Sequence, residues 1–391
     1  MKKNTMIKLA AGVAAILLVS TSANAGYTMK KKVGGVDTKL TVFGFAQLEA
    51  RGGSGVIADN EDSKVAFGAQ RIRLGWKYVA GNVRGKVFLD FNQNHDDNKK
   101  TGDGAAMPSM VKDAFISYVV DPAFVVKAGL IKMPNGMSFT MPGWNLDIAE
   151  RGFDKKLVLE RNTGLMISGR DIGLGNNGKV NGFEMGHERP WKGFGYDVMI
   201  ANQASRSASA SSSKNGGNSY AVRGMFDYTE KLHIEASYAL SENAKGPSGT
   251  TGGEDYKNIN IGVDSNLGKL SLKAEFFDAK NIKGTKDRDE QVFTATAGYF
   301  VTPSLEVVAK HMQGNATWAT GTPDTTLSNT YLGLNIFMSM PYEDFSRKAK
   351  RARNQHKVVL NYIVAGGDTT KWNGLGGYND NAFIAQYQFK F

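Results

Sequence analysis

Apolar and polar residues alternate with a period of two in short segments that recur from residue 40 to the last residue. Alternation of this kind gives a strand one apolar and one polar face. Sixteen strands are predicted, over 40–51, 67–79, 82–93, 110–120, 123–132, 158–174, 193–203, 219–228, 231–241, 256–265, 269–279, 291–301, 304–313, 328–339, 355–364 and 381–391. Gly, Asn, Asp, Ser and Pro clusters separate them, and all nine prolines fall between strands, where a missing N–H leaves the ladder intact. Around 158–192 the pattern is ambiguous: Lys179 to Glu188 fits either a long sixth strand or its turn.

The links alternate in length. Those at 80–81, 121–122, 229–230, 266–268 and 302–303 are tight, whereas 52–66, 94–109, 133–157, 204–218, 242–255, 280–290, 314–327 and 365–380 are long. Short turns on one side and long loops on the other describe a transmembrane β-barrel, with the turns in the periplasm. Closure is required because a bilayer offers an open sheet edge no partner. The fold class expected is therefore all-β, a transmembrane antiparallel β-barrel of about 16 strands. The last strand alternates Phe383, Ala385, Tyr387, Phe389 and Phe391 on a lipid face with Gln386, Gln388 and Lys390 on a wet one. Its aromatic end (Tyr387, Phe389, Phe391) is read as the signal to the barrel-assembly machinery. A soluble β-sandwich would share the alternation but not the terminal phenylalanine or the loop asymmetry.

The amino terminus changes the picture by giving an address. Lys2, Lys3 and Lys8 precede an apolar run from Leu9 to Val19 and then Ala23-Asn24-Ala25, the pattern of a cleaved signal peptide over 1–25. Residues 26–391 then form one barrel domain in the bacterial outer membrane, among lipid and lipopolysaccharide. Removing the three lysines lowers the formal charge from +11 to +8. The basic residues alternate with apolar ones inside strands, which argues against nucleic acid. With no cysteine in the chain, disulfides, thiolate metal sites, iron–sulfur clusters and thioether-linked haem are excluded. The five histidines lack ligand spacing and no serine, histidine and carboxylate set stands out, so no enzyme, metal or cofactor is expected.

Candidate chemistry lies on the inner face. Arg51 ends the first strand, Arg71, Arg73 and Lys77 share the inner face of the second, and Arg84 and Lys86 share that of the third. Their expected outward neighbours are Ile72, Leu74, Trp76, Tyr78, Val83, Val87 and Leu89. With only Glu49 and Asp90 as nearby acids, this is a basic strip that would raise the local concentration of small anions. The later strands carry mixed inner charges that read as structural pairs, His233 beside Glu235 among them. The third long loop, with Pro134, Phe139, Trp144 and Arg151, is the candidate constriction, although its charges nearly cancel. Met340 to Asn354 is the one periplasmic link expected to be long. Its cluster of Arg347, Lys348, Lys350, Arg351 and Arg353 is either a solvated turn or a set of anion-binding charges in the lower lumen.

Val111-Lys112-Asp113-Ala114-Phe115, Lys127 to Pro134, Leu159-Glu160-Arg161 and Ser168 to Gly173 resemble, in order and spacing, the phosphate-selective porin O and P family. The resemblance implies a sixteen-stranded outer-membrane porin, typically a homotrimer, that passes phosphate-like anions along basic side chains. It also implies an inward third loop and a periplasmic turn that enters the lumen. The competing expectations are a general or cation-preferring porin and a closed-lumen scaffold barrel.

Overall fold

The computed structural model describes residues 26–53, 65–92, 110–173, 192–203, 217–229, 231–244, 253–318, 322–339 and 343–391. The signal-peptide segment and Lys179 to Glu188 lie outside these residues. Among the described residues seventeen strands follow one another: β1 (Tyr27–Val33), β2 (Val36–Gly52), β3 (Val65–Ala80), β4 (Val83–Asp90), β5 (Val111–Asp121), β6 (Phe124–Lys132), β7 (Arg161–Ile172), β8 (Gly193–Asn202) and β9 (Asn218–Thr229). The second half comprises β10 (Leu232–Ser241), β11 (Tyr256–Leu267), β12 (Leu270–Lys280), β13 (Arg288–Thr302), β14 (Leu305–Trp318), β15 (Thr325–Phe337), β16 (His356–Gly367) and β17 (Ala382–Lys390). Every neighbouring pair from β2 to β17 is antiparallel, and β17 pairs back onto β2 from Phe383↔Gly52 to Lys390↔Phe45. The barrel is thus closed with 16 strands, as the alternation predicts.

Two features differ from the sequence reading. β1 pairs with the lower half of β2, from Tyr27↔Val42 to Val33↔Val36. It lies on the edge of β2 that β17 occupies higher up, and the backbones of Phe391 and Gly44 exchange two hydrogen bonds of 3.0 Å between the two strands. Tyr27-Thr-Met-Lys-Lys-Lys-Val33 has no clear alternation, because all seven residues of β1 are exposed and no core face selects its pattern. Secondly, β7 ends at Ile172 and β8 starts at Gly193, so Met340 to Asn354 is not the one long periplasmic link. β6 begins at Phe124 and its pairing with β7 stops at Val125↔Ser168, which removes the partner that a longer β7 would need.

The hydrophobic core is inside the barrel. The third loop, residues 133–160, folds inward with the single turn α1 (Met137–Thr140). Its Met133, Phe139, Ile148, Phe153 and Leu157 pack on Met166, Phe277, Val292, Met312, Tyr331 and Ile363 of the wall. These wall residues break the expected rule of a polar lumen, since the loop covers them. Trp372 and Tyr378 of the last long loop close over the same cluster, with Trp372 edge-on to Phe153 at 6.1 Å. Two glycines permit the path. Gly136, at φ 86°, leaves room where a Cβ would stand 2.7 Å from the Phe277 ring, and Gly152, also at φ 86°, passes Met312 just as closely.

Candidate functional site: a basic groove beside the third loop

The third loop is fastened to the wall by its own backbone. Lys357 Nζ donates to Leu146 O at 2.6 Å, Asn335 to Asp147 O at 2.8 Å, Gln388 to Trp144 O at 3.0 Å, and Gln386 to Ala149 O at 3.2 Å. Asn361 accepts from the Ala149 amide at 2.9 Å, and Gln47 donates to Gly143 O at 3.1 Å. Polar side chains on the inner faces of β2, β15, β16 and β17 therefore serve a loop that would otherwise carry unmet buried carbonyls and amides. Pro134, Phe139, Trp144 and Arg151 are all buried in this packed arrangement.

The loop's charges sort by side. Asp147 accepts from Lys273 at 2.6 and 2.8 Å, Glu150 accepts from Arg51 at 3.3 Å and from Tyr331 at 3.2 Å, and Asp154 takes the Ser138 hydroxyl at 2.5 Å. Arg151 and Lys155 instead line a cavity of about 70 Å³ between the loop and strands β2 to β7. The near-neutral sum in the sequence thus hides a separation: Asp147, Glu150 and Asp154 are tied to other partners, while Arg151 and Lys155 face the groove together with Glu160, which pairs with Lys155 at 3.1 Å.

Arg71, Arg73 and Lys77 from β3 and Lys86 from β4 line the same cavity, as the inner-face reading predicts. Lys112, Lys132 and Arg161 join them, making nine basic side chains against two acids, Asp113 and Glu160, among the described residues. Lys112 escapes the alternation because the β4–β5 register shifts between Phe88 and Leu89 and turns an extra residue inward. Arg161 and Lys132 sit at strand ends, where a period-two reading loses its phase. Arg73 donates to Asp90 at 2.9 Å, Lys86 to Asp113 at 2.5 Å and Arg161 to the other Asp113 oxygen at 3.0 Å. Arg71 donates to Gln47 at 2.5 Å.

Aromatic faces keep these cations in place. Lys132 stands 4.4 Å from the centre of the Phe139 ring, with Arg151 and Arg161 at 5.8 and 5.9 Å. Lys77 lies 4.6 Å from Phe43, and Trp144 packs edge-on to Phe45 at 5.2 Å within the cluster of Phe43, Phe45 and Phe88. Cation–π contact holds a charge without neutralising it. Burial lowers Arg151 below the usual guanidinium value, and Arg73 and Arg161 add to this. Burial likewise lowers Lys155 from 10.5, with Arg151 and Arg71 acting the same way and Glu160 opposing.

Below the groove, Lys39, Lys77, Arg84, Lys86 and Lys127 line a smaller cavity of about 30 Å³ that no acid among the described residues borders. Lys39 pairs across with Lys30 of β1, which carries the basic surface on to the periplasmic rim. Arg51 stands apart from this strip: it is bound to Glu49 at 2.7 Å, to Glu150 and, at 2.9 Å, to the Tyr378 hydroxyl. Of the outward set, Ile72, Tyr78, Val83 and Val87 are exposed on the barrel's outer face. His233 bridges Asp227 at 3.0 Å and Glu235 at 2.9 Å, the structural pair that the sequence suggests.

In the long periplasmic link, α2 (Arg347–Arg353) folds back into the lumen. Ser346 caps it by accepting from the Ala349 amide at 3.2 Å. Arg353 is buried between Phe300 and Phe345, 5.1 Å from each ring, and Asn354 reaches Asn145 of the third loop at 3.4 Å. Lys350 lies 5.3 Å from the Phe300 ring.

A closed barrel of 16 antiparallel strands, narrowed by an inward third loop, defines an outer-membrane channel protein. The Gram-negative porin family model matches residues 11–339, and the chain belongs to that family. It is a non-enzymatic channel of the bacterial outer membrane. No curated protein sequence matches it. Among solved structures, the anion-selective porin from Comamonas acidovorans is similar at 13% identity and a TM-score of 0.60, over 90% of this chain and 100% of that one. The trimer form of OmpT from Vibrio cholerae gives 12% and 0.59 over 90% and 99%. The channel DcaP of Acinetobacter baumannii gives 13% and 0.57 over 94% and 100%. At such identity these likenesses carry the fold alone.

Proposed function

We propose that the pore prefers small anions, phosphate-like oxyanions among them, and that they pass along the groove beside the third loop. The observation that carries this reading is the lining of that groove, among the described residues, by nine basic side chains and two acids. Asp147, Glu150 and Asp154 of the third loop are held by other partners, and Glu160, at 3.1 Å from Lys155, is the one loop acid among the described residues that lines the groove. Several moderate sites in series let a solute leave as readily as it enters, and the separate cavities along β3 and β4 suit such passage. The buried Arg353 and the neighbouring Lys350 add charge below the loop. The anion-selective relative is consistent with this preference. The resemblance to the phosphate-selective porin O and P family favours phosphate as the anion.

The same proposal covers the surroundings of the barrel. The chain is exported by a signal peptide over 1–25, assembled through its terminal aromatic strand by the barrel-assembly machinery, and seated among lipid and lipopolysaccharide as a homotrimer. The trimer form of the similar OmpT supports the last point.

Single-channel conductance in chloride, phosphate and acetate tests the reading. Phosphate should reduce the chloride current saturably, and the reduction should be lost in an Arg73→Ala, Arg151→Ala variant. A second reading has one observation in its favour: the loop and α2 fill much of the lumen. A closed-lumen scaffold barrel would give negligible conductance in the same experiment.

A further inference from the structure

The hairpin of β1 and β2 lies below the end of β17, at the periplasmic rim, and its register sorts its side chains by face. Tyr27 stands opposite Val42 and, through it, Trp76, and Met29 stands opposite Leu40 and Tyr78. Lys31 follows opposite Thr38 and Ala80, and Val33 opposite Val36. Residues directly opposite one another share a face, and Tyr78 belongs to the barrel's outer one. On that face the hairpin is apolar at every position but Lys31 and Thr38. Thr28, Lys30 and Lys32 take the inner face with Thr41, Lys39 and Asp37.

Tyr27, Met29, Val33 and Val36 are all exposed, Tyr27 at 69% and Val33 at 57%. Their rows run on into the lipid-facing wall, where Trp76 pairs with Val87 and Ala80 with Val83, and Tyr78, Val83 and Val87 are exposed as well. From the barrel toward the periplasm the order is an aromatic level of Tyr27 and Trp76, then Met29, Leu40 and Tyr78, then Lys31. Aromatic rings mark the edge of the hydrocarbon, so the lysine falls at the depth of the phosphates. Beyond it the tip, Val33-Gly34-Gly35-Val36, is apolar again, with both glycines at positive φ, 57° and 80°, as a two-residue hairpin turn requires. A tip aimed into the periplasm would set these valines in water, whereas a hairpin lying along the membrane surface sets them against lipid. Full insertion is ruled out, because the register gives β1 one partner strand, β2, and its second edge needs water or headgroups.

We propose that the β1–β2 hairpin is an interfacial anchor that lies on the periplasmic leaflet and binds anionic phospholipid. Tyr27, Met29, Val33 and Val36 rest against the upper acyl chains, and Lys31 meets the headgroup phosphate. An apolar face interrupted by a basic side chain is the combination that an anionic leaflet attracts. Lys30 and Lys32 take no part, since they share the inner face with Lys39 at the mouth of the pore. The inference rests on the chain being an outer-membrane barrel and not on its anion preference.

The chain has no cysteine, so one introduced cysteine can carry an environment-sensitive dye on protein purified from outer membranes and reconstituted in vesicles of phosphatidylcholine and phosphatidylglycerol. At Val33→Cys the dye should report an apolar surrounding and be quenched by brominated lipid, whereas at Thr28→Cys, on the other face, it should report water. Brominated phosphatidylglycerol should quench the dye at Val33→Cys about twofold more than the same fraction of brominated phosphatidylcholine. In that background Lys31→Gln should abolish the preference and Lys30→Gln should leave it. Water around the dye at Val33→Cys, equal quenching by the two lipids, or a preference that survives Lys31→Gln would each overturn the proposal. So would a dye shielded from water but untouched by brominated lipid, the sign of a second copy over this face. The Val33→Cys measurement stands alone if Lys31→Gln fails to fold. None of these readouts uses current, so the anchor and the anion path can fail independently.

Discussion

Lys273 of β12 donates to both carboxylate oxygens of Asp147, at 2.8 and 2.6 Å, and so holds an acid of the third loop on the wall facing away from the basic groove. The pair is partly exposed, so its worth is that of a screened ion pair, up to about 1 kcal/mol.

Lys273→Met should therefore weaken docking of the loop by no more than about fivefold, which corresponds to roughly 1 kcal/mol. Single-channel records should show more frequent current fluctuations and a smaller anion preference. Asp147→Asn in the same background should restore the preference, since it removes the acid that has been set free.

Gly152 lies at φ 86° and ψ −177°, a region that only glycine occupies readily. Gly152→Ala should cost about 1–3 kcal/mol from backbone strain, before the contact with Met312 is counted. Gly68, with open space around its Cα, supplies the comparison: Gly68→Ala should leave the urea midpoint of the barrel near its original value.

The barrel was legible from alternation because each strand between lipid and lumen needs two unlike faces, and Gln386 and Gln388 fall on the predicted inner side. Alternation failed where that condition lapses. β1 has no buried face, and Met166, Phe277 and Tyr331 point inward against an apolar loop instead of water. Within the groove, Arg71, Arg73, Lys77 and Lys86 were readable from period two. Lys112 was hidden by a register shift, and Lys132 and Arg161 by their places at strand ends. What no count of charges contains is the direction of each side chain in the third loop, which turns a neutral segment into one with a basic side.

Burial places Lys155 below the ordinary lysine value of 10.5, with Arg151 and Arg71 contributing in the same direction. A base whose value is lowered loses its proton earlier as pH rises. Anion preference should accordingly begin to fall at a pH below the usual lysine range, and Lys155→Arg should move that fall upward. Zero-current potentials measured at a series of alkaline pH values check this.

Phe391 exchanges two backbone hydrogen bonds of 3.0 Å with Gly44 at the barrel seam, and its ring stacks on Phe389 at 6.4 Å. Deleting Phe391 should lower the yield of folded barrel severalfold while leaving the conductance of assembled channels nearly unchanged. The ratio of heat-modifiable to unfolded protein on gels measures the first effect, and bilayer recording the second.

The account stands most directly on the sign of selectivity. In a planar bilayer with a tenfold KCl gradient and about 0.01 M on the dilute side, the Debye length there is about 30 Å, so wall charges act across the pore. The zero-current potential of the wild-type channel should have the sign of chloride preference. It should move toward zero when Arg71, Arg73 and Arg151 are replaced by alanine. A wild-type potential of cation sign, or one that the triple replacement leaves unchanged, would contradict the assignment of the groove as the path for anions.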